Sequence, residues 1–326
     1  LHDIGHGPLS HTGEEMFGQR HEAWSARVIR HHPEIRDCLE SHESGTAEAV
    51  ANLLEHGRSP HPLIKHLVSS QLDCDRLDYL LRDSYSTGTR YGQLDLDRIL
   101  GALTLAPDGD MAIHPKGLMA VEHYLVVRNL MYRSVYNHRL NVVCNWLLEK
   151  LILTARQLGP DQVWADEVMA TWLWQPDQIR LEDFLANDDQ RTGYHLQRWQ
   201  AEAPAALAEL SGRFLDRRLL KATAVEHLSP ADQLQLLATA RRLAERHGHD
   251  PELCCGLRHQ QLRGYHPYRG GLRLWDGQQL QALEKASPLV ASLATPAATS
   301  WLIHPRDISN ELRQEMDVEW PRAAAA

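Results

Sequence analysis

The first eleven residues concentrate side chains that bind metals and transfer protons. In the segment LHDIGHGPLSH these side chains are His2, Asp3, His6 and His11. An adjacent imidazole and carboxylate at a helix end can converge on one cation, and this donor pair suits Mn, Fe, Zn or Ni. Gly5 and Gly7 permit an unusual backbone path that could bring His6 close to a phosphate. The alternative is a capped helix end with solvated histidines.

A second pattern of reactive side chains lies between residues 73 and 83. Asp75, Tyr79 and Asp83 are four residues apart, so they share one face of a helix. A row of two carboxylates and a phenol packs poorly in an apolar core, but it can line a binding site. The alternative is a solvated charged face with pairs of side chains four residues apart.

A third pattern combines an arginine with tyrosines. Arg128, Tyr132 and Tyr136 again share a helix face, and Asn137 follows directly. Arginine offers forked donors to phosphate, and a tyrosine can pack against a sugar. The alternative is an aromatic core stripe with an arginine at its edge.

The elements that must position these residues are mainly helices. Apolar residues recur at three- and four-residue spacing over 22–30, 46–55, 62–72, 75–82 and 95–103. Longer helical patterns run over 117–158, 194–210 and 230–247, and the first of them ends at a Gly-Pro stop signal. A hairpin is predicted over 105–114. Short strands are predicted at 272–275, 289–293 and 300–304.

Composition excludes several classes of protein. Lysine and arginine number 34 against 43 acidic residues, and the resulting net charge of −9 disfavours non-specific nucleic-acid binding, although nucleic acid stays possible as a partner. The longest apolar stretches are too short and too interrupted to span a membrane. Five scattered cysteines without a CxxC pair predict reduced, buried thiols in a cytoplasmic protein.

Together the three patterns resemble the HD-domain phosphohydrolases, and among them most closely the deoxynucleoside triphosphate triphosphohydrolases. The motifs that carry the resemblance are His2–His11, Asp73–Asp83 and Arg128–Arg139, in the family's order and spacing. The resemblance covers roughly residues 1–200. It implies a mainly α fold with an HD-domain helical core over 1–185, followed by a smaller α+β C-terminal region over 186–322. Residues 323–326 resemble an artificial tail.

The resemblance also implies a set of site residues. The family binds one divalent metal ion (Mn, Fe, Zn, Ni or Mg) through a first His, a His-Asp pair and an Asp. Here His2, Asp3 and Asp75 match three of these ligands, and the first His is expected in a segment upstream of Leu1. The matching catalytic residues are His6, His21 and Glu14, of which Glu14 orients an imidazole. The matching substrate-binding residues are His11, Arg76, Tyr79, Asp83, Arg128, Tyr136 and Asn137.

The implied reaction is attack of water on the α-phosphorus of a dNTP, which releases deoxynucleoside and inorganic triphosphate. Two alternatives stay open. The same site could act on a nucleoside monophosphate, a cyclic nucleotide or an alarmone, or the chain could be a non-catalytic nucleotide or nucleic-acid binder. A homo-oligomer is expected because family members are often oligomeric.

Overall fold

The computed structural model describes residues 1–59, 61–262, 264–267 and 271–315. The helices of its first half are α1 (Ser10–Phe17), α2 (His21–His31), α3 (Pro33–His42), α4 (Thr46–His56), α5 (Pro62–Val68), α6 (Cys74–Thr87), α7 (Leu96–Leu100), α8 (Leu118–Met131) and α9 (Arg139–Leu158). Those of the second half are α10 (Glu167–Trp174), α11 (Leu181–Ala186), α12 (Asp189–Glu202), α13 (Ala205–Leu215), α14 (Pro230–Arg246), α15 (Pro251–Cys254), α16 (Leu283–Ala286), α17 (Pro288–Leu293) and α18 (Ser309–Glu315). A π-helical segment, Tyr132–Tyr136, separates α8 from α9.

Two small sheets accompany the helices. The strands are β1 (Leu103–Leu105), β2 (Met111–Ile113), β3 (Lys221–Ala224), β4 (Gly256–Leu262), β5 (Arg273–Trp275), β6 (Leu280–Ala282) and β7 (Ala297–His304). One sheet has the order β1-β2-β5-β6, in which only the β2–β5 pair is parallel, and the other has the antiparallel order β3-β7-β4. The protein is therefore mainly α, with the expected smaller α+β C-terminal region.

The buried apolar residues form two large clusters. One surrounds α9 and includes Leu151, Trp172 and Trp199, all at most 1 % exposed. The other surrounds α8 and includes Leu80 of α6 and Tyr124, both fully buried. The two clusters hold α6, α8 and α9 in place, and these helices carry or flank the second and third sequence patterns.

Most predicted helices and strands are confirmed, although they begin and end at other residues than predicted. The hairpin forms from β1 and β2, and the strand at 300–304 belongs to β7. The pattern over 117–158 is two helices, because the side chain of His138 caps α9 by accepting the Leu140 N–H. The pattern over 194–210 is interrupted near Pro204, the N-cap of α13, because proline cannot continue the preceding helix.

Two predictions are wrong. The segment 289–293 is helical, because Ser287 accepts the Val290 N–H and Pro288 occupies the first turn, where its missing N–H costs nothing. The cysteines are free but not uniformly buried, since Cys38 and Cys74 are exposed. The division of the chain at residues 185 and 186 stays a prediction. The tail at 323–326 and the end of the 186–322 region lie outside the described residues.

Within the part of the chain that the structure describes, none of the helices combines the length and apolar character that a bilayer crossing requires.

Candidate active site

A close backbone approach fixes the first motif against α2. A Cβ on Gly5 would lie 2.2 Å from the Ser25 nitrogen and 2.3 Å from the His21 oxygen, so no other residue fits without movement. The Gly5 N–H donates to Ser25 Oγ at 2.9 Å, and this hydroxyl donates to the His2 carbonyl at 2.7 Å. The loop that carries His2 and Asp3 is therefore held directly beside the start of α2, where His21 lies.

Three predicted metal ligands converge. His2 Nε2 lies 3.1 Å from Asp3 Oδ2 and 3.6 Å from Asp75 Oδ1, and one ligand atom from each residue falls within 4.8 Å of the others. His2 Nε2 is buried and has no hydrogen-bond partner among the described residues. Burial raises the pKa of Asp75, the imidazole of His2 opposes that shift, and Asp3 adds to it. A lone imidazole nitrogen between two carboxylates fits a divalent cation and leaves the donors poorly satisfied without one.

The turn before α6 aims Asp75 and Arg76. Asp73, 1 % exposed, caps the helix by accepting the Arg76 N–H at 2.8 Å and also accepts the Ser70 N–H at 2.9 Å. The Arg76 guanidinium forms a salt bridge with the same carboxylate and donates to the Ser70 carbonyl. This network places Asp75 in the first turn of α6, facing His2.

Glu14 joins the predicted catalytic histidines. Its Oε1 atom lies 2.7 Å from His21 Nδ1, 2.9 Å from His11 Nδ1 and 3.5 Å from His6 Nδ1. Burial alone would raise the pKa of Glu14, but hydrogen bonds from His11 and His21 lower it. Burial, followed by the neighbouring imidazoles of His21 and His11, lowers the pKa of His6. The cluster thus places three imidazoles within 3.5 Å of one carboxylate oxygen.

Ring geometry separates this cluster from a metal site. The rings of His6 and His21 stack with centroids 4.2 Å apart and planes 15° apart. A metal bonded to an imidazole nitrogen lies in the plane of that ring. One cation cannot lie in two nearly parallel planes so far apart, so His6 and His21 cannot ligate the same ion in this arrangement. Proton transfer suits the cluster better.

The three metal ligands and the histidine cluster both open on one cavity of about 580 Å³. Ten predicted site residues line it: His2, Asp3, His6, His11, His21, Asp75, Arg76, Tyr79, Asp83 and Tyr136. Six lining residues were not predicted as site residues: Ser10, Glu22, Val68, Ser69, Asp73 and Tyr132. A signal for Asp73 existed, since an acidic residue directly before an apolar helical pattern is typical of an N-cap.

A wall of tyrosines closes the far side of the cavity. Tyr136 donates its hydroxyl to Asp83 Oδ2 at 2.6 Å, and the hydroxyls of Tyr79 and Tyr132 lie 3.0 Å apart. Burial raises the pKa of Tyr136, and the hydrogen bond to Asp83 raises it further. The π-helical turn presents Tyr132 and Tyr136 to the same cavity. A flat apolar surface beside an acceptor suits a sugar ring.

Three predicted residues are not among those that line this cavity. Glu14 lies behind the imidazoles that it contacts. Arg128 is 6 % exposed, its guanidinium carbon lies 5.5 Å from the Tyr132 ring centroid, and its Nη1 has no hydrogen-bond partner among the described residues. Asn137 donates its side-chain amide to the Tyr132 carbonyl at 2.9 Å. Arg128 and Asn137 therefore support Tyr132 in this conformation.

Comparisons with known proteins show which proteins this chain is similar to. A family model described as the HD associated region matches residues 94–304. The uncharacterized protein YwfO of Bacillus subtilis is 29% identical over 318 residues, which cover 94% of this chain and 72% of YwfO. The deoxynucleoside triphosphate triphosphohydrolase SAMHD1 homolog of Dictyostelium discoideum is 24% identical over 168 residues, 48% of this chain and 32% of that protein.

A solved structure shares the fold over nearly the whole chain. The phosphohydrolase from Bacteroides thetaiotaomicron superposes with a TM-score of 0.78 at 25% sequence identity, over 94% of this chain and 78% of that chain. The matched family region reaches well beyond residue 200, so the likeness extends further into the C-terminal part than the sequence motifs indicate.

Proposed function

We propose that this chain, which belongs to the family defined by the HD associated region, is a metal-dependent phosphohydrolase that acts on nucleotides. One observation carries the proposal: His2, Asp3 and Asp75 meet at one end of a cavity that also holds the histidine cluster and the tyrosine wall. The family membership and the phosphohydrolase with the same fold support it.

The substrate that this arrangement favours is a dNTP. A divalent cation held by His2, Asp3 and Asp75 would supply Lewis-acid polarisation of a phosphate oxygen. Arg76 lines the same cavity and its side chain is 28 % exposed, so part of its guanidinium can reach a phosphate. The sequence resemblance to dNTP triphosphohydrolases and the Dictyostelium relative support the same substrate class.

The histidines and Glu14 would move the protons. Water attacks the α-phosphorus, the bond between that phosphorus and O5′ breaks, and the products are deoxynucleoside and triphosphate. Because Glu14 accepts from His21 Nδ1, the Nε2 atom of His21 is free to take a proton from the water or give one to O5′. His6 stacks on His21 and shares this role. His11 also contacts Glu14, but its side chain is largely exposed, and it acts as a substrate-binding residue.

The tyrosine wall would receive the sugar. Tyr136 packs against the deoxyribose, where a ribose 2′-hydroxyl would meet the ring, and Tyr79 and Asp83 bind the remaining sugar edge. Arg128 reaches the nucleotide only if the side chain of Tyr132 moves, since its guanidinium lies beside that ring. Asn137 reaches it only if its amide leaves the Tyr132 carbonyl.

The placement of Arg128 favours a second candidate. A triphosphate needs cationic groups for its distal phosphates, and Arg128 does not line the cavity in this conformation. An HD hydrolase that acts on a nucleotide with fewer phosphates would not need it. The product separates the two candidates, because only the first releases inorganic triphosphate.

The test is a product analysis. Full-length protein is incubated with Mn²⁺ and each of the four dNTPs, and in parallel with dNMPs and cyclic nucleotides, and the products are separated by anion-exchange chromatography. Inorganic triphosphate in the wild type, and its absence in Asp75→Asn, supports the dNTP reaction. Orthophosphate from a monophosphate or ring opening of a cyclic nucleotide supports the second candidate. Binding of nucleotides without any product contradicts both.

A further inference from the structure

Two consecutive residues in the first motif have a backbone conformation that side chains disfavour. Leu9 has φ 62° and Ser10 has φ 53°, and within the described residues Arg217 is the only other non-glycine residue with a positive φ. In this left-handed region Cβ crowds the backbone, so such residues persist only where their surroundings hold them, and they concentrate at functional sites. Here the pair lies between His6 and His11.

A carboxylate from a distant helix holds this turn. The Leu9 N–H donates to Asp189 Oδ1 at 2.7 Å, across 180 residues of sequence. Asp189 is in the first turn of α12, where the N-terminal end of the helix favours a negative charge. On the other side, a Cβ on Gly13 would lie 1.9 Å from the Pro8 carbonyl oxygen, so the chain on both sides of Leu9 is fixed.

The turn determines where the imidazoles point. The Ser10 hydroxyl lies 3.3 Å from His6 Nδ1, and the next residue, His11, contacts Glu14. Rotation of Leu9 and Ser10 to the right-handed region would redirect both contacts, because φ at these two residues sets the direction of the chain into α1. The Asp189 contact is therefore coupled to the histidine cluster, although Asp189 does not line the 580 Å³ cavity and lines a neighbouring one with His6.

We propose that Asp189 is a positioning residue: its carboxylate holds the left-handed Leu9–Ser10 turn and thereby sets His6 and His11 against Glu14. The effect on turnover rests on the proposed phosphohydrolase function. The effect on the turn does not.

The first test compares Asp189→Ala with a neighbour. Asp188 caps α12 by accepting the Arg191 N–H at 2.8 Å, so Asp188→Ala weakens the same helix end without removing the contact to Leu9. In Asp189→Ala, we expect hydrogen exchange of the Leu9 amide to accelerate about tenfold or more. In Asp188→Ala, we expect this exchange to stay within about threefold of the wild type. Unchanged Leu9 exchange in Asp189→Ala would overturn the proposal whether or not the chain hydrolyses nucleotides.

The second test uses turnover. Asp189→Ala should lower kcat by about tenfold or more while Mn²⁺ affinity changes less than about twofold, since the metal ligands stay in place, and KM should rise only as far as the substrate contact of His11 is lost. Asp189→Asn, which keeps an oxygen acceptor, should recover part of the loss. Equal losses of kcat in Asp188→Ala and Asp189→Ala would show that only the stability of α12 matters and would contradict a positioning role.

A third variant tests the backbone argument. Glycine adopts the left-handed region without a Cβ penalty, so Leu9→Gly should reduce the dependence on Asp189. We expect Asp189→Ala to lower kcat by less than about threefold in the Leu9→Gly background. The same loss of kcat in both backgrounds would refute the strain argument. If the wild type forms no product from any nucleotide, the proposed function fails, and Leu9 amide exchange in the single and double variants decides the positioning proposal by itself.

Discussion

Replacing Gly5 by alanine tests how the first motif is held against α2. The new Cβ would lie 2.2 Å from the Ser25 nitrogen and 2.3 Å from the His21 oxygen, where ordinary contacts begin at 3.4 Å. Both atoms are backbone atoms and cannot rotate away. The loop must therefore move about 1 Å from α2, which also stretches the 2.9 Å hydrogen bond from Gly5 to Ser25.

The expected cost has two parts. Overpacking and the weakened hydrogen bond should lower the free energy of unfolding by about 2–4 kcal/mol. The displaced loop also carries His2 and Asp3 away from Asp75, and a loss of this kind in the support of a metal site costs roughly 10–100-fold in affinity. Urea denaturation of the metal-free protein measures the first quantity, and Mn²⁺ titration followed by electron paramagnetic resonance measures the second.

Gly193 offers a matched control. It lies within α12, and in the described part of the chain a Cβ on it would meet no heavy atom within 4 Å beyond its chain neighbours and its own helix backbone. Gly193→Ala should stabilise the protein by up to about 1 kcal/mol and leave Mn²⁺ affinity unchanged. If Gly5→Ala matches the wild type in both measurements, the close approach of the loop to α2 does not hold the metal ligands, and the reasoning is refuted.

Three further predictions concern other parts of the molecule. Glu14→Gln removes the anionic acceptor for His11 and His21 and should lower kcat by about 100-fold or more with Mn²⁺ content unchanged, as measured by steady-state kinetics and metal analysis; wild-type kcat would exclude Glu14 from the reaction. Tyr136→Ala should raise kcat/KM for NTPs relative to dNTPs by about tenfold, whereas Tyr136→Phe keeps the ring and should preserve selectivity; equal selectivity in the alanine variant argues against a sugar contact. Burial lowers the pKa of His304 to about 4, below its ordinary 6.5. As the pH falls, this imidazole is therefore protonated in the unfolded chain before it is protonated in the folded chain. The free energy of unfolding should therefore drop by about 3 kcal/mol from this group between pH 7 and pH 4 in urea titrations, and His304→Gln should lack that component; an identical pH dependence in the variant counts against it.

The sequence predicts those parts of the fold and the site that depend on local patterns. His2 and Asp3 are adjacent in sequence, so their side chains can approach one position without contacts from distant parts of the chain. The four-residue spacing places Asp75 and Tyr79 on one face of α6. The β1–β2 hairpin follows from its turn residues in the same way. Periodicity also predicts most helices, because a helix that buries one apolar stripe repeats apolar residues every three or four positions.

Features that depend on distant contacts escape this reasoning. Arg128 and Tyr132 are four residues apart, yet only Tyr132 lines the cavity, and Arg128 is buried with its guanidinium carbon 5.5 Å from the tyrosine ring centroid. The carboxylate of Asp189 contacts Leu9 from 180 residues away, and no local pattern marks it. At 289–293 a short apolar run fits a strand or a helix equally well, and the Ser287 cap decides for the helix.

The account depends most directly on a cation shared by His2, Asp3 and Asp75. Isothermal titration of the metal-free wild type with Mn²⁺, alongside Asp75→Asn and the surface control Asp78→Asn, measures this ion directly. We expect the wild type and Asp78→Asn to bind one tight Mn²⁺ per chain, and we expect Asp75→Asn to lose about 100-fold or more in affinity while its circular dichroism spectrum is unchanged. A folded Asp75→Asn variant that binds Mn²⁺ as tightly as the wild type would contradict the account.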